Sequence, residues 1–391
     1  MSLKAQENPE FEKHAYNYES MMVTAFQKRD TAQYKRSLDH LTMDFSSLNE
    51  ESQNIYKVIF SNLNYSFACL YSILNNKTKA LEYLEKSKFT DYRQMLVDED
   101  LKNIRKEKRF KTCLKYAREN APDYLNTLKK AAKYEGSGKE EHIKFTYQSK
   151  DNPNLQLLRK TYQLDSIAGM GNEISQIINI SNWVHNLIHH DGYKGNPDQL
   201  NALNMIQLCK NGKRTLTCYG LSVVLNECYL SLGFKSRYVR CLPKDSTDND
   251  CHVIVTVYSM TLKKWLWIDP TFDTYVMNEK GELLGIQEVR ERLITGKPLI
   301  INPNANWNHK QSESKEAYLD YMTKNLYRLE SPLNSEFDYG TKIKGKEIKY
   351  LDLDPIDYKK LESAQKNFEE NLCFIHTFIT HNPNIFWAIP E

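Results

Sequence analysis

Three polar residues could do chemistry together: Cys218, His252 and Asp269. Each interrupts an otherwise apolar segment. Cys218 comes just before the apolar run 221–232, which has helical length and ends at Gly233, a residue suited to a helix C-terminal stop. A thiol at a helix N-terminus feels the positive end of the peptide dipoles, which favours the thiolate. His252 opens Val-Ile-Val-Thr-Val-Tyr, β-branched and alternating, so a strand is predicted there. Asp269 closes Trp-Leu-Trp-Ile, a second short strand that Pro270 stops. The turn at 260–264 is short enough to make the two strands antiparallel neighbours, with His252 at the start of one and Asp269 at the end of the next. A thiolate can attack an acyl carbon. An imidazole can hold its proton and deliver it to the leaving group. A carboxylate can fix the imidazole tautomer. Taken singly, each residue has a plainer reading, as a core thiol, a structural histidine or a turn. Their order and neighbours together point to a catalytic triad. Cys251 is a rival nucleophile on paper. As the strand position next to His252 it is expected to point to the opposite face and pack in the core.

The stretch 215–273 resembles the transglutaminase-like superfamily, relatives of papain with the order Cys, His, Asp. The shared landmarks are Cys218 opening a helix, Gly-Phe-Lys-Ser-Arg-Tyr-Val from Gly233, His252 opening a strand, and Trp-Leu-Trp-Ile-Asp-Pro-Thr from Trp265. Leu216 and Thr217 stand where the family often carries a glycine before the cysteine. The resemblance implies an α+β protein whose transglutaminase-like, papain-like core packs a helix on an antiparallel sheet. Cys218, His252 and Asp269 would be catalytic there, and the Cys218 backbone N–H plus one upstream side chain would hold the oxyanion. The implied activity is thiol-dependent acyl transfer or amide hydrolysis on a protein or peptide substrate, as a cysteine protease or a transglutaminase-like enzyme. Fold and triad do not choose among the peptidases, deamidases, transglutaminases and peptide:N-glycanases of such a superfamily. The rival class is a non-catalytic scaffold that binds a peptide or protein. No calcium-site pattern is evident, and neither a cofactor nor a metal is expected.

At 391 residues the chain predicts two or three domains. With 40% hydrophobic and 26% charged residues it reads as an ordinary globular protein. A net charge of +3 is too small to imply a nucleic-acid partner. No apolar run has the length needed to span a bilayer. The eight cysteines form no Cys-x-x-Cys pair, which argues against a zinc ribbon or a redox motif. Met-Ser-Leu followed by a polar stretch carries no signal peptide, yet looks like a vector-derived start on a trimmed chain. Export with the signal removed is therefore one expectation, and a cytoplasmic location the other.

The elements that must position the triad follow from the rest of the chain. Residues 1–135 read as a helical domain. Within it, 54–87 reads as a helix hairpin, and Ala-Cys-Leu-Tyr-Ser-Ile-Leu-Asn-Asn-Lys-Thr-Lys-Ala-Leu-Glu-Tyr-Leu-Glu-Lys-Ser resembles a tetratricopeptide repeat. Ala68 and Ala80 would sit at its crossing, with Leu70, Leu74, Leu81 and Leu84 as the seam. One repeat cannot bury its own face, so helices from 9–50 and 91–134 are expected to cover it. The hairpin would serve as a partner-binding groove or as a shield, and the basic run 102–115 as a solvated helix face. Glu-Gly-Ser-Gly-Lys-Glu-Glu at 135–141 reads as a linker. It is followed by a catalytic core at 136–301 and a C-terminal extension, 302–391, packed on the core. In the core, helices are predicted at 155–164, 173–189, 201–209 and 286–295, a strand at 143–147 and a hairpin turn at 278–281. His185, His189 and His190 invite a metal reading, since i and i+4 histidines share a helix face, but no carboxylate or thiol joins them at ligand spacing. Residues 191–217 and 244–250 would form the two lips of the cleft. Tyr318, Tyr321, Tyr327, Phe337, Tyr339, Phe386 and Trp387 are expected to pack the extension on the core rather than line a groove.

Overall fold

A computed structural model describes residues 8–131, 133–134, 143–192, 195–246, 248, 250–309, 311–312, 314–358 and 373–391. The chain divides into two compact units, Met1–Asp123 and Tyr124–Glu391. The first is helical among its described residues; the second mixes helices with a six-stranded sheet, so the protein is α+β. The linker read at 135–141 lies outside the described residues.

The first unit runs α1 (Pro9–Gln27), α2 (Thr31–Ser46), α3 (Glu50–Ile73), α4 (Lys77–Ser87) and α5 (Lys108–Asn120), with a short helix, Tyr92–Val97, between the last two. Asn8, Asp30, Asn49 and Asn76 cap the first four, each side chain accepting a first-turn amide that has no intrahelical partner. The α3–α4 hairpin is present. Ala68, Ala80 and Leu70 are fully buried, and Leu81 and Leu84 are buried with them. Leu74 departs from the expected seam: it is the residue that ends α3, and the chain turns there, leaving it 45% exposed. Phe11, Tyr34, Phe67, Met95 and Phe110 join the hairpin in one core. The basic run is not one helix. Glu99–Leu101 is a single tight turn, and α5 begins only at Lys108, which lets Leu101 and Ile104 point inward. Tyr124–Lys130, expected among the helices covering the hairpin, belongs to the second unit, where Leu128 packs with Val289 and Leu326. Nothing beyond the hairpin itself supports the repeat resemblance.

The sheet of the second unit contains β1 (Ser236–Leu242), β2 (His252–Ser259), β3 (Lys264–Ile268), β4 (Arg328–Pro332), β5 (Glu347–Leu353) and β6 (Phe374–Thr380). Their order is β6-β5-β4-β1-β2-β3. All neighbours are antiparallel except β5 and β6, which run parallel, so the expected antiparallel sheet is in fact mixed. Residues 302–391 supply β4, β5 and β6, and thus continue the sheet of the core. Of the strand expected at 143–147, only Thr146–Tyr147 pairs, with Asn334–Ser335. In the remaining helices, α6 is Glu173–Leu187, α7 Cys218–Leu232 and α8 Lys315–Asn325.

α7 is apolar on nearly every side, the pattern of a helix buried all round. Val224, Cys228 and Tyr229 pack with Ile177, Ile180 and Val184 of α6 and with Val253, Val255 and Val257 of β2. Each such aliphatic side chain, once buried, contributes roughly 1.5–3 kcal/mol. The alternate β2 residue Ile254 packs in a second core with Val239, Trp267, Val289 and Met322. β2 is therefore covered on both faces, which suits its unbroken β-branched sequence. Gly233 ends α7 at φ +93°, a backbone setting that favours glycine.

Candidate active site

The N-terminus of α7 is built by a loop that folds back on it. Leu216 bridges His190, with Leu216 N donating to the His189 carbonyl at 3.1 Å and Asp191 N to the Leu216 carbonyl at 2.8 Å. Asn196 accepts from Thr217 N at 3.1 Å and donates to Thr217 Oγ1 at 2.7 Å. Gly220 permits this closeness, because a Cβ there would lie 2.3 Å from Asn196 Oδ1 and 3.0 Å from the Leu216 Cβ. Cys218 is thereby held as the first helical residue, half-buried as a whole, with its N–H among the first-turn amides that lack an intrahelical acceptor. Ser222 Oγ donates to the Val253 carbonyl at 2.9 Å and ties this turn to the start of β2.

The β2–β3 pairing, Val255 opposite Ile268 and Val257 opposite Leu266, brings the other two residues together. His252 Nε2 lies 2.7 Å from Asp269 Oδ2, and both side chains are buried. Three donors surround the carboxylate. Besides His252, Tyr318 Oη donates to Oδ2 at 2.8 Å and Thr271 N donates to Oδ1 at 2.9 Å. Trp267 Nε1 in turn donates to Tyr318 Oη at 2.9 Å. Phe272 and Tyr321 pack edge-on or tilted against the imidazole, with ring centroids 5.5 and 5.4 Å away. With Nε2 committed to Asp269, Nδ1 is the ring nitrogen left for the hydrogen bond to Cys218.

The electrostatics favour an ion pair. Burial pushes the Cys218 thiol up, but hydrogen bonds from His190 and His252, followed by the charge of His252, bring it down to about 6. Burial works against the His252 imidazolium too. The charge and hydrogen bond of Asp269, helped by Cys218, outweigh it and lift His252 to about 10. Between those values the stable pairing is thiolate with imidazolium.

Of the three residues singled out by sequence, the structure sets His252 against Asp269 and brings Cys218 beside His252, and other side chains join them. His190 is the second histidine at the sulfur. Trp307 Nε1 donates to its Nδ1 at 3.1 Å, and Asn308 brackets its backbone, accepting from His190 N at 2.7 Å and donating to its carbonyl at 2.9 Å. The only sequence cue was the adjacent pair His189-His190 at the end of a helix before the cysteine. Tyr318, assigned to packing, is both buried and bonded to Asp269. Tyr321 lies at the lip as well. Its hydroxyl donates to the Cys251 carbonyl at 3.3 Å, while Lys324 bridges Asp248 at 3.0 Å and Asp250 at 2.7 Å.

Cys251 corrects the expectation of a core residue. It precedes β2 and is only partly buried, and burial, followed by the nearby Cys218, pushes its thiol up. The three histidines of the metal reading separate. His185 is buried, with Nδ1 at 2.9 Å from the Pro270 carbonyl and Nε2 at 2.9 Å from Asn306 Oδ1, whereas His189 is exposed and His190 turns to the thiol. Among the described residues no three His, Cys, Asp or Glu side chains converge to hold a metal ion, and no helix is long and apolar enough to cross a membrane.

No protein-family model matches the chain, and no curated protein matches it. Among solved structures it aligns with a "putative cysteine protease" from Cytophaga hutchinsonii, at 16% identity and a TM-score of 0.26. The alignment covers 44% of this chain and 55% of the other, so the chain spans about half the length of that protein.

Proposed function

We propose that this protein is a thiol-dependent acyl-transfer or amide-hydrolysing enzyme of the transglutaminase-like, papain-like kind, acting on a protein or peptide through Cys218, His252 and Asp269. The observation that carries the reading is the buried 2.7 Å pairing of His252 Nε2 with Asp269 Oδ2, which leaves the other ring nitrogen for the thiol at a helix start. A scaffold that never turns over has no chemical use for a buried imidazole–carboxylate pair aimed at a thiol.

The reaction proceeds in two halves. The Cys218 thiolate attacks the carbonyl carbon, the S–C bond forms, and the C=O electron pair moves to oxygen. The tetrahedral species collapses, the C–N bond breaks, and His252 gives its Nδ1 proton to the departing amine or ammonia. His252, now neutral, takes a proton from water or from a second amine as that nucleophile attacks the thioester. Cys218 leaves as thiolate beside the reprotonated imidazole. Asp269, braced by Tyr318 and Thr271, keeps Nε2 protonated throughout, so the proton shuttles at Nδ1.

The test is a panel of glutamine-containing peptides incubated with wild type and Cys218→Ala. Ammonia release alone identifies deamidation, incorporation of an added amine identifies transamidation, and new peptide termini identify proteolysis. Wild-type turnover of any of these kinds, lost in Cys218→Ala with the fold intact, supports an enzyme. No turnover on any substrate, with a Cys218 that alkylates no faster than a model thiol, replaces it with a binding protein.

A further inference from the structure

Two histidines meet one sulfur, and their surroundings make them different chemical objects. His252 gives Nε2 to a carboxylate, so its second proton is stabilised. His190 gives Nδ1 to the indole N–H of Trp307. An indole nitrogen can only donate, so His190 Nδ1 must present its lone pair. The ring proton then resides on Nε2, and protonating Nδ1 would set two N–H groups against each other. The rest of the residue is equally fixed. Its backbone pairs with Leu216, two residues before the nucleophile, and Asn308 clamps its N–H and its carbonyl. His190 is therefore a neutral, pre-aimed N–H donor beside the thiol and has no role as a base.

Resting on the acyl-transfer reading above, we infer that His190 Nε2–H is the side-chain half of the oxyanion hole, completed by the backbone N–H of Cys218 at the start of α7. When sulfur attacks, its negative charge passes to the carbonyl oxygen one bond beyond the new S–C link. A donor that faces the thiolate at rest can follow the charge to that oxygen without reorganising, and this is what makes such donors effective. Trp307 is a positioning residue: it acts only by fixing which nitrogen of His190 carries the proton.

The experiment compares two reactions of Cys218 in the full chain. Acylation by p-nitrophenyl acetate forms an S–C bond, passes through an oxyanion and expels p-nitrophenolate. Alkylation by iodoacetamide is a direct displacement of iodide with no oxyanion. Losing one oxyanion donor costs about 10²–10³-fold in demanding substrates, and an activated ester, with its earlier transition state, should show about tenfold or more. The ratio of acylation to alkylation should accordingly fall at least about tenfold in His190→Ala and return most of the way in His190→Gln, whose amide supplies a neutral N–H. It should fall several-fold in Trp307→Phe, where the tautomer is released. An unchanged ratio in folded His190→Ala overturns the assignment; should that variant not fold, an unchanged ratio in Trp307→Phe does so. A wild-type Cys218 that neither acylates nor alkylates faster than a model thiol fails earlier, and overturns the acyl-transfer reading itself.

Discussion

The Tyr318 hydroxyl stands between a buried indole and the carboxylate that orients the imidazole, so Tyr318→Phe isolates one oxygen atom at the heart of the site. Two bonds disappear: Trp267 Nε1–H to Oη at 2.9 Å and Oη–H to Asp269 Oδ2 at 2.8 Å. A hydrogen bond to a charged group contributes about 1.5–3 kcal/mol, and a buried donor left without an acceptor costs about 1–3 kcal/mol. Trp267 is 1% exposed, so water cannot take the place of the hydroxyl. Asp269 still accepts from His252 and Thr271, which holds the first contribution to its lower end. The ring itself keeps its edge contacts with Phe272 at 5.4 Å and Trp267 at 6.2 Å, so no cavity of consequence opens. The expected loss is about 2–4 kcal/mol. Urea unfolding followed by tryptophan fluorescence is the appropriate assay. All five tryptophans (Trp183, Trp265, Trp267, Trp307 and Trp387) lie in the second unit, so the signal reports that unit alone. In the Asp269→Asn background the same substitution should cost about 1 kcal/mol less, because the acceptor is no longer charged. A Tyr318→Phe unfolding free energy within about 0.5 kcal/mol of wild type at unchanged slope would refute the hydrogen-bond chain.

Three further perturbations have defined outcomes. Asp269→Asn presents one acceptor and one donor to three donors, so His252 loses both its counter-charge and its fixed tautomer. Turnover should fall by about 10²-fold or more, and the alkaline limb of the pH profile, set by His252 at about 10, should move to lower pH. Glu227→Gln should destabilise the second unit by about 1–3 kcal/mol in the same fluorescence assay. The buried carboxylate accepts from Ala202 N at 2.7 Å and Asp338 N at 2.9 Å, and an amide turns an N–H toward one of them. Ala68→Leu should overpack the α3–α4 crossing, where Ala68 and Ala80 are fully buried, and cost about 1–3 kcal/mol of first-unit stability by circular dichroism, with the tryptophan transition unmoved.

Sequence carried the local part of this structure. Gly233 closing the apolar run 221–232, the alternation after His252 and the Trp-Leu-Trp-Ile run are local signals, and they place the helix after Cys218, the strand that His252 opens and the strand end beside Asp269. What it could not carry is contact between distant segments. His190 reaches the thiol through the bridge to Leu216, and its tautomer depends on Trp307, which no periodicity links to position 190. Tyr318 meets Asp269 because β4 inserts beside β1, placing residues of the apparent extension inside the core sheet. The 99–107 break leaves no mark in the sequence, because Leu101, Ile104 and Phe110 fit helical spacing although tight turns carry the first two. Leu74 fitted the seam by the same spacing, yet capping geometry ended the helix there.

The central claim is a Cys218 thiolate paired with protonated His252, and the pH dependence of alkylation tests it without a known substrate. Iodoacetamide labelling, quantified at each cysteine by peptide mass spectrometry, should give Cys218 a rate that rises with a midpoint near pH 6. The half-buried Cys113 and Cys251, whose thiols burial pushes up, should react only above the ordinary thiol range. At neutral pH a thiol titrating at about 6 is roughly 30-fold more ionised than a free thiol at about 8.5. Cys218 labelling that tracks Cys113 and Cys251, or that starts only above about pH 8.5, would contradict the ion pair and with it the proposed chemistry.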